Sequence, residues 1–532
     1  MKFKDAIKIN LFPALIGSLH KMGVSYEKLG NISFFAKSNL LAQAKELGQI
    51  EVEKNPHPQN IYILLMLSGS FFHLYLEALL ALGLKKKGHN VIFIMDENAL
   101  PIHELKKIGN EDNWDYQAHK DYIFASKFLD TIGLKYISIS DFIKDAGPVK
   151  FDHKYEAIVE ATLLKQYKVG TITPDLPRLE EKTALVQEAI AVSDKVGQVL
   201  AEINPDSVIM SHGIYSTWGP AFQVLDAHNI PVLIHGRGKK RHSQVFNWNH
   251  TADSWNVSEE WDKVKDKDLT PDELAEINEY LGSRITHKND VFVFNFGGET
   301  SNKETFEFLG LDENKPVYTM FTNVLWDAAS AQREIAFSNP VEWVLETIRW
   351  FNEHPEKQLI VKIHPAEMII GTNMPFYDII MSETKPNKNI RIIQPHEKVN
   401  SWSIYNITTL GIVHTTTAGM ELPLVDKPCM VVSKTHYRGK GFTIDIASNK
   451  EYFEVLENFD PSTIDFDKNR EEAIKYAYLL FIRYQVPFNM FFEEVSSNIH
   501  GYRFNTLQEY MEQPGFNEII DNIIQRNPIF SK

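Results

Sequence analysis

The feature that most constrains this chain is a unit that recurs along it. The first copy begins with Ile61–Leu67 (IYILLML), a run that is apolar from end to end. Ser68-Gly69-Ser70 follow, then a helical pattern over Phe71–Lys87, then Gly88-His89-Asn90, and then a second apolar run, Val91–Met95. A strand that is half exposed alternates apolar and polar residues. A continuous apolar run belongs to a strand buried on both faces, as in a parallel sheet covered by helices. Strand, small-residue turn, helix, glycine and strand together predict an α/β fold built from βαβ units.

The unit appears again after Pro205. Ser207–Met210, the turn Ser211-His212-Gly213, a helix running to His228 and the strand Pro231–Ile234 lead into the loop His235-Gly236-Arg237-Gly238. A later set comprises Val317–Phe321, a helix Pro340–His354 with proline in its first turn, Gln358–Ile363, Ile390–Ile393, Leu410–Val413, a helix Met420–Leu424 and Cys429–Val432. The chain of 532 residues therefore divides into a helical segment over 1–58, closed by Asn55-Pro56-His57-Pro58, and a doubly wound lobe over 59–270. A second lobe over 285–470 and C-terminal helices over 471–532 complete it. The stretch 259–290 is charged and helical and reads as a connector. Two such lobes facing across a cleft suit a bulky ligand with two parts.

Composition narrows the function. The net charge is −15, so a nucleic-acid partner is not expected without a strong local basic patch. A single cysteine, Cys429, excludes a disulfide framework and a cysteine-built metal site, and fits a reducing cytoplasm. No signal peptide is read in the N-terminal residues, and no stretch reaches the roughly 18 apolar residues that span a bilayer. Ile9–Met22 is apolar on part of its surface and carries the one expectation of peripheral contact with the inner membrane, against the alternative of a helix docked on the core. Walker A, His-Glu-x-x-His and Gly-x-Ser-x-Gly motifs are absent, and no histidine spacing argues for a metal.

The chemistry concentrates in 410–443. There a strand ends at His414-Thr415-Thr416-Thr417-Ala418-Gly419, and Glu421 follows. Backbone N–H groups at the start of a helix, with three hydroxyls beside them, suit an anion. Glu421 suits the vicinal hydroxyls of a ribose. Threonine N-capping with a dipole-favoured glutamate is the alternative reading. Lys362-Ile363-His364-Pro365 closes another strand of the same lobe, and the C-terminal ends of parallel strands converge on one ligand-binding edge. His364 would donate to a phosphate, and Pro365 would fix its loop.

These residues carry a resemblance. The second lobe resembles the bacterial capsule polysaccharide synthesis family of GT-B glycosyltransferases, whose characterised relatives include Kdo transferases. The matching features are His364-Pro365, Thr415–Thr417, Gly419-Met420-Glu421, Lys427-Pro428, and Tyr437 with Gly441-Phe442-Thr443. Thr322–Ala328, with Asn323, looks like that family's first donor-lobe loop. The similarity is best over about 315–445, weaker over 60–250, and not found in the first 58 residues. The His-Pro pair with a Ser/Thr cluster is also similar to bacterial sialyltransferases, which handle CMP-activated sugars. The resemblance implies that His364, Thr415, Thr416 and Thr417 hold the donor phosphate and Glu421 the ribose, with Asn323, Pro365 and Gly419 shaping that site. Asp426 stands where the family usually has glycine. The sialyltransferase acidic-acidic-Gly motif is absent, so no catalytic base carries over.

The first lobe would supply the acceptor side. His212 is the favoured general base, because imidazole exchanges protons near neutral pH and the residue sits at a strand end. Asp96 and Glu97 are the other candidates. Tyr215 and Trp218 would stack on a sugar ring or pack in the core. The dense basic run through Arg237, Lys239 and Arg241 would hold an acceptor diphosphate or the donor phosphate, or is a solvated loop. The expectation is thus a cytoplasmic GT-B glycosyltransferase, at most peripheral to the membrane. It would move a sugar from a nucleotide donor, a CMP-sugar by resemblance, to a surface polysaccharide or lipid-linked glycan, with no cofactor and no metal. A sugar-nucleotide epimerase, a teichoic-acid-type polyol-phosphate transferase and a non-catalytic GT-B scaffold are the alternatives.

Overall fold

The protein is described by a computed structural model covering residues 38–67, 72–104, 111–252, 257–286, 290, 298–327, 333–493 and 499–531. Ile9–Met22, the Ser68-Gly69-Ser70 turn and Ala328 lie outside the described residues.

The apolar runs form two sheets. In the first lobe β1 (Asn60–Leu65), β2 (Asn90–Met95), β3 (Lys135–Ser138), β4 (Ser207–Ser211) and β5 (Val232–Arg237) are parallel, in the order β3-β2-β1-β4-β5. An antiparallel strand, β6 (Ser243–Trp248), lies beside β5. The second lobe repeats the plan with β7 (Val317–Phe321), β8 (Gln358–Lys362), β9 (Ile390–Ile393), β10 (Leu410–Val413), β11 (Cys429–Val431) and β12 (Ile444–Asp445). All six are parallel, in the order β9-β8-β7-β10-β11-β12. The fold is therefore mixed α/β with two Rossmann-like, doubly wound lobes. β4, β7, β8 and β10 are buried along their whole length, as their apolar centres require.

Helices cover both faces. Phe72–Lys86, between β1 and β2, is buried from Leu74 to Leu84, with His235 facing its one buried acid, Glu77. The long helix Leu179–Ile203 packs on Gly219–Ala227, where Gly197 allows close approach: a Cβ there would sit 2.9 Å from the Ala221 backbone.

The C-terminal segment departs from the expectation of helices alone. After the helix Phe466–Tyr478 the chain returns to the first lobe. There β13 (Val486–Pro487) pairs antiparallel with β6 at Val486 and Gln244. A hairpin of β14 (Phe491–Glu493) and β15 (Ile499–Tyr502) follows. The last helix, Pro514–Gln525, then lays Ile520 against Gly83, where a Cβ would come within 2.7 Å of it. The first lobe is completed by residues more than two hundred positions downstream of β6.

Candidate functional site

In the second sheet the chain leaves β7 toward β8 and leaves β10 toward β11, in opposite directions. A crevice opens at that divergence, outside the C-terminal strand ends. Asn323, just past β7, ties the two loops together. Its Nδ2 donates to Thr415 Oγ1 at 2.7 Å, and the Thr415 N–H donates back to Asn323 Oδ1 at 3.3 Å. Thr415 thus bridges the two loops and, unlike its two neighbours, does not line the cavity described below. Thr416 is different: its Oγ1 is buried and meets no hydrogen-bond partner among the described residues. Thr417 stands at the N-cap of the short helix Ala418–Glu421 but makes no capping bond with its side chain. Both line a cavity of about 210 Å³. Gly419 is required by packing, since a Cβ there would lie 2.5 Å from the Tyr437 hydroxyl, which donates to the Thr416 carbonyl at 2.7 Å.

His364 lines the same cavity. Its backbone N–H donates to Thr322 Oγ1 at 3.1 Å, and the Ala366 N–H donates to its Nδ1 at 3.1 Å. The second bond leaves the ring proton on Nε2. Burial, helped by Lys362 and Lys239 and opposed by Asp327, lowers the His364 pKa to about 4. The imidazole is a neutral N–H donor at physiological pH. Pro365 starts the turn that carries Ala366–Ile369.

Cations from three parts of the chain meet here. Lys362 ends β8, donates to the Val399 carbonyl at 2.9 Å, and has its pKa lowered to about 8 by burial. Lys239 reaches in from the β5–β6 loop of the first lobe. Burial and the nearby Arg284 lower its pKa to about 8, against the pull of Glu421 and Asp290. Arg284 comes from the helix Pro271–Thr286 and pairs with Glu421 at 2.5 Å and Asp290 at 3.3 Å. Burial alone would lower its pKa, but Glu421, Tyr280 and Asp290 outweigh burial and hold it charged. Glu421 lines the cavity with its carboxylate already accepting from Arg284 and, at 2.8 Å, from the Tyr405 hydroxyl. Of the basic run, Lys239 alone lines the cavity. Arg237 lies over the Phe72 ring at 4.5 Å, and Arg241 donates to the Asp290 carbonyl at 3.1 Å.

At the edge of the first sheet, His212 follows β4 with φ of +32°, before Gly213 at +65°. A side chain bearing a Cβ rarely holds such a backbone, and strain of this kind collects at functional turns. His212 Nε2 lies 2.9 Å from Glu104 Oε1, and the Thr217 hydroxyl donates to Glu104 Oε2 at 2.6 Å. Burial would raise the Glu104 pKa, but His212, His103 and Thr217 together bring it down to about 2. Asp96 and Glu97 are spent on backbone. Asp96 accepts from the N–H groups of Asn98 and Leu100, with burial pushing its pKa up to about 7. Glu97 accepts from the N–H groups of Ile139 and Ser140. Trp218 is fully buried and Tyr215 nearly so, which places both in the core.

No protein-family model matches the chain, and no curated protein matches it. Solved structures overlap it at low similarity. The KpsC β-Kdo 2,4-transferase of Thermosulfurimonas dismutans is 15% identical, with a TM-score of 0.34, over 59% of this chain and 87% of its own. The UDP-GlcNAc 2-epimerase of Neisseria meningitidis, bound to UDP-GlcNAc, is 12% identical, with a TM-score of 0.24, over 79% of this chain and 97% of its own. The glycosyltransferase SnogD of Streptomyces nogalater is 10% identical, with a TM-score of 0.22, over 80% of this chain and 95% of its own. Values this low assign nothing to individual residues, and the fold stands on strand order and register.

Sequence reasoning missed Arg284, Asp290, Tyr405 and Glu104. One signal was present for Lys362: a lysine closing an otherwise apolar buried strand. Among the described residues no three metal-ligating side chains group together, and no helix is long and apolar enough to cross a membrane.

Proposed function

We propose that the protein is a GT-B-type glycosyltransferase whose donor, a nucleotide sugar, binds at the edge of the second sheet. One observation carries this reading. The neutral donor His364, the unspent hydroxyls of Thr416 and Thr417, and the cations Lys239, Lys362 and Arg284 all converge on a single cavity at the strand divergence. That set fits a phosphate-bearing ligand better than a neutral one. His364 Nε2 and the two hydroxyls would bind the phosphate oxygens, and the lysines would neutralise the charge that develops as the phosphate departs. Lys239 belongs to the other lobe, so donor binding would draw the lobes together. Glu421 would meet the ribose with the part of its carboxylate that Arg284 and Tyr405 leave open. The acceptor, a glycan or lipid-linked glycan, would lie on the first-lobe edge, with His212 taking its proton and Asp96 and Glu97 serving the backbone.

Calorimetric titration with CMP, CDP, UDP and GDP tests the reading on wild type and His364→Ala. Binding of at least one nucleotide, weakened at least about tenfold in the variant, supports it. Binding by none of them at millimolar concentration overturns it. CMP alone would favour a CMP-sugar donor, and consumption of a nucleotide sugar by isomerisation without transfer would replace the transferase with an epimerase.

A further inference from the structure

One wall of the second-lobe cavity carries a carboxylate whose acceptor capacity is nearly used up. Glu421 Oε1 accepts two bonds from Arg284, from Nε at 3.2 Å and from Nη2 at 2.5 Å. Oε2 accepts one, from the Tyr405 hydroxyl at 2.8 Å. A carboxylate offers about four lone-pair sites, shared equally between its oxygens. Oε1 is therefore full, and Oε2 keeps one site. All three residues line the cavity. Both partners are fixed in place. The Arg284 guanidinium lies 4.7 Å over the Phe481 ring, and its Nη1 donates to Asp290 Oδ1 at 3.3 Å. The Tyr280 hydroxyl donates to the same oxygen at 3.0 Å, and the Asp290 carbonyl accepts from Arg241. The side chains of Arg284 and Glu421 are 14% and 8% exposed, so solvent screens the pair little. Tyr405 is buried with its ring against Phe321 and Trp402. Burial, together with Glu421, pushes its pKa far up and keeps the hydroxyl a donor.

We infer that Arg284 and Tyr405 are positioning residues that make Glu421 a one-hydroxyl acceptor: Oε2 takes a single ribose hydroxyl of the donor, and the neighbouring hydroxyl goes unread. This rests on the nucleotide-donor reading above. A carboxylate with both oxygens open receives a pair of vicinal hydroxyls and reads the two alike. Here the Arg284 fork closes one oxygen before the ligand arrives. The donors selected are nucleotides that carry that one hydroxyl, and a nucleotide lacking only the other is equivalent to the full ribonucleotide. Arg284 comes from the helix Pro271–Thr286, between the two sheets in sequence, so the specificity of the second-lobe cavity is set from outside its own sheet.

Calorimetric affinities are measured for CMP, CDP, UDP and GDP, each beside its 2′-deoxy and 3′-deoxy analogues, on wild type, Arg284→Gln, Tyr405→Phe and Glu421→Ala. In wild type one deoxy analogue is expected to bind at least about tenfold more weakly than the ribonucleotide, and the other within about twofold of it. In Arg284→Gln and Tyr405→Phe the two analogues are expected to come within about twofold of each other, as in Glu421→Ala. A contribution of Arg284 to the phosphate weakens the ribonucleotide and both analogues alike and leaves that comparison untouched. Equal losses for both analogues in wild type mean that both hydroxyls are read, and overturn the inference. Loss for neither means that Glu421 does not meet the ribose, which overturns the inference and leaves the nucleotide site standing. No binding of any ribonucleotide at millimolar concentration overturns the transferase reading, and the inference falls with it. Arg284→Gln leaves Glu421 and Asp290 without their cation, a change that can unfold a protein. Tyr405→Phe keeps both ion pairs and decides alone in that case: an undiminished difference between the analogues overturns the inference.

Discussion

Thr416 is the residue at which the proposed donor site can be tested most cleanly. Its hydroxyl is buried with no partner among the described residues, a condition that costs stability unless a ligand supplies the bond. Thr416→Val keeps the shape and removes the hydroxyl. Nucleotide affinity should fall at least about tenfold, while the thermal midpoint holds or rises. An equal fall in both would mean that the hydroxyl serves the fold. Lys239 and Lys362 set the pH response. Both have pKa values lowered to about 8, and a bound anion favours their charged forms. Affinity should therefore be full below pH about 8, decline as pH rises through that value, and bring net proton uptake above it. Calorimetry in buffers of different ionisation enthalpy reads this directly. Constant affinity and no proton uptake up to pH about 9 would exclude both lysines from the phosphate.

The elements explain why these residues meet. The motif proposed to hold the donor was legible in the sequence because it hangs on strand ends. His364 and Thr415–Thr417 follow two runs whose continuous apolar character marks them as buried parallel strands, and β8 and β10 end where those runs end. Six strands escaped that reading for physical reasons. β3 (KYIS) is a half-exposed sheet edge, β6 is antiparallel with Asn and Gln in its sequence, β12 and β13 are two residues long, and β14 and β15 form a short hairpin. Arg284 and Glu104 escaped because their meaning is long-range. One sits on a helix that is polar on most of its surface, and the other on a turn that meets His212, more than a hundred positions away, only in the folded chain. The turn after β10 also carries a packing constraint. Gly419→Ala would drive a methyl into the Tyr437 ring and displace the hydroxyl that holds the Thr416 carbonyl. Denaturant unfolding should show a loss of about 1–3 kcal/mol, with nucleotide affinity falling as well. A neutral substitution would show that the Tyr437 contact is slack.

At the scale of the molecule, two connections hold the lobes in one functional unit. Residues past His364 dock on the first lobe: the Asn373 N–H donates to the Lys168 carbonyl at 2.9 Å, and Asn373 Nδ2 donates to the Tyr167 carbonyl at 2.8 Å. The C-terminal chain crosses back to supply β13 and the helix that covers Phe72–Lys86. Deletion of residues 486–532 should uncover the β6 edge and that helix, giving a protein that aggregates. A monomeric, cooperatively folding truncation would contradict the view that the first lobe needs its distant C-terminal part. In the proposed complex one ligand is held by the second-sheet edge and by Lys239 of the first lobe together. Hydrogen–deuterium exchange, with and without the tightest-binding nucleotide, tests it most directly. Slowed exchange is expected in the segments 363–369, 415–421 and 238–243 at once, with little change at the far strand ends. Protection limited to the first-sheet edge, or none in a protein that binds nucleotide, would contradict it.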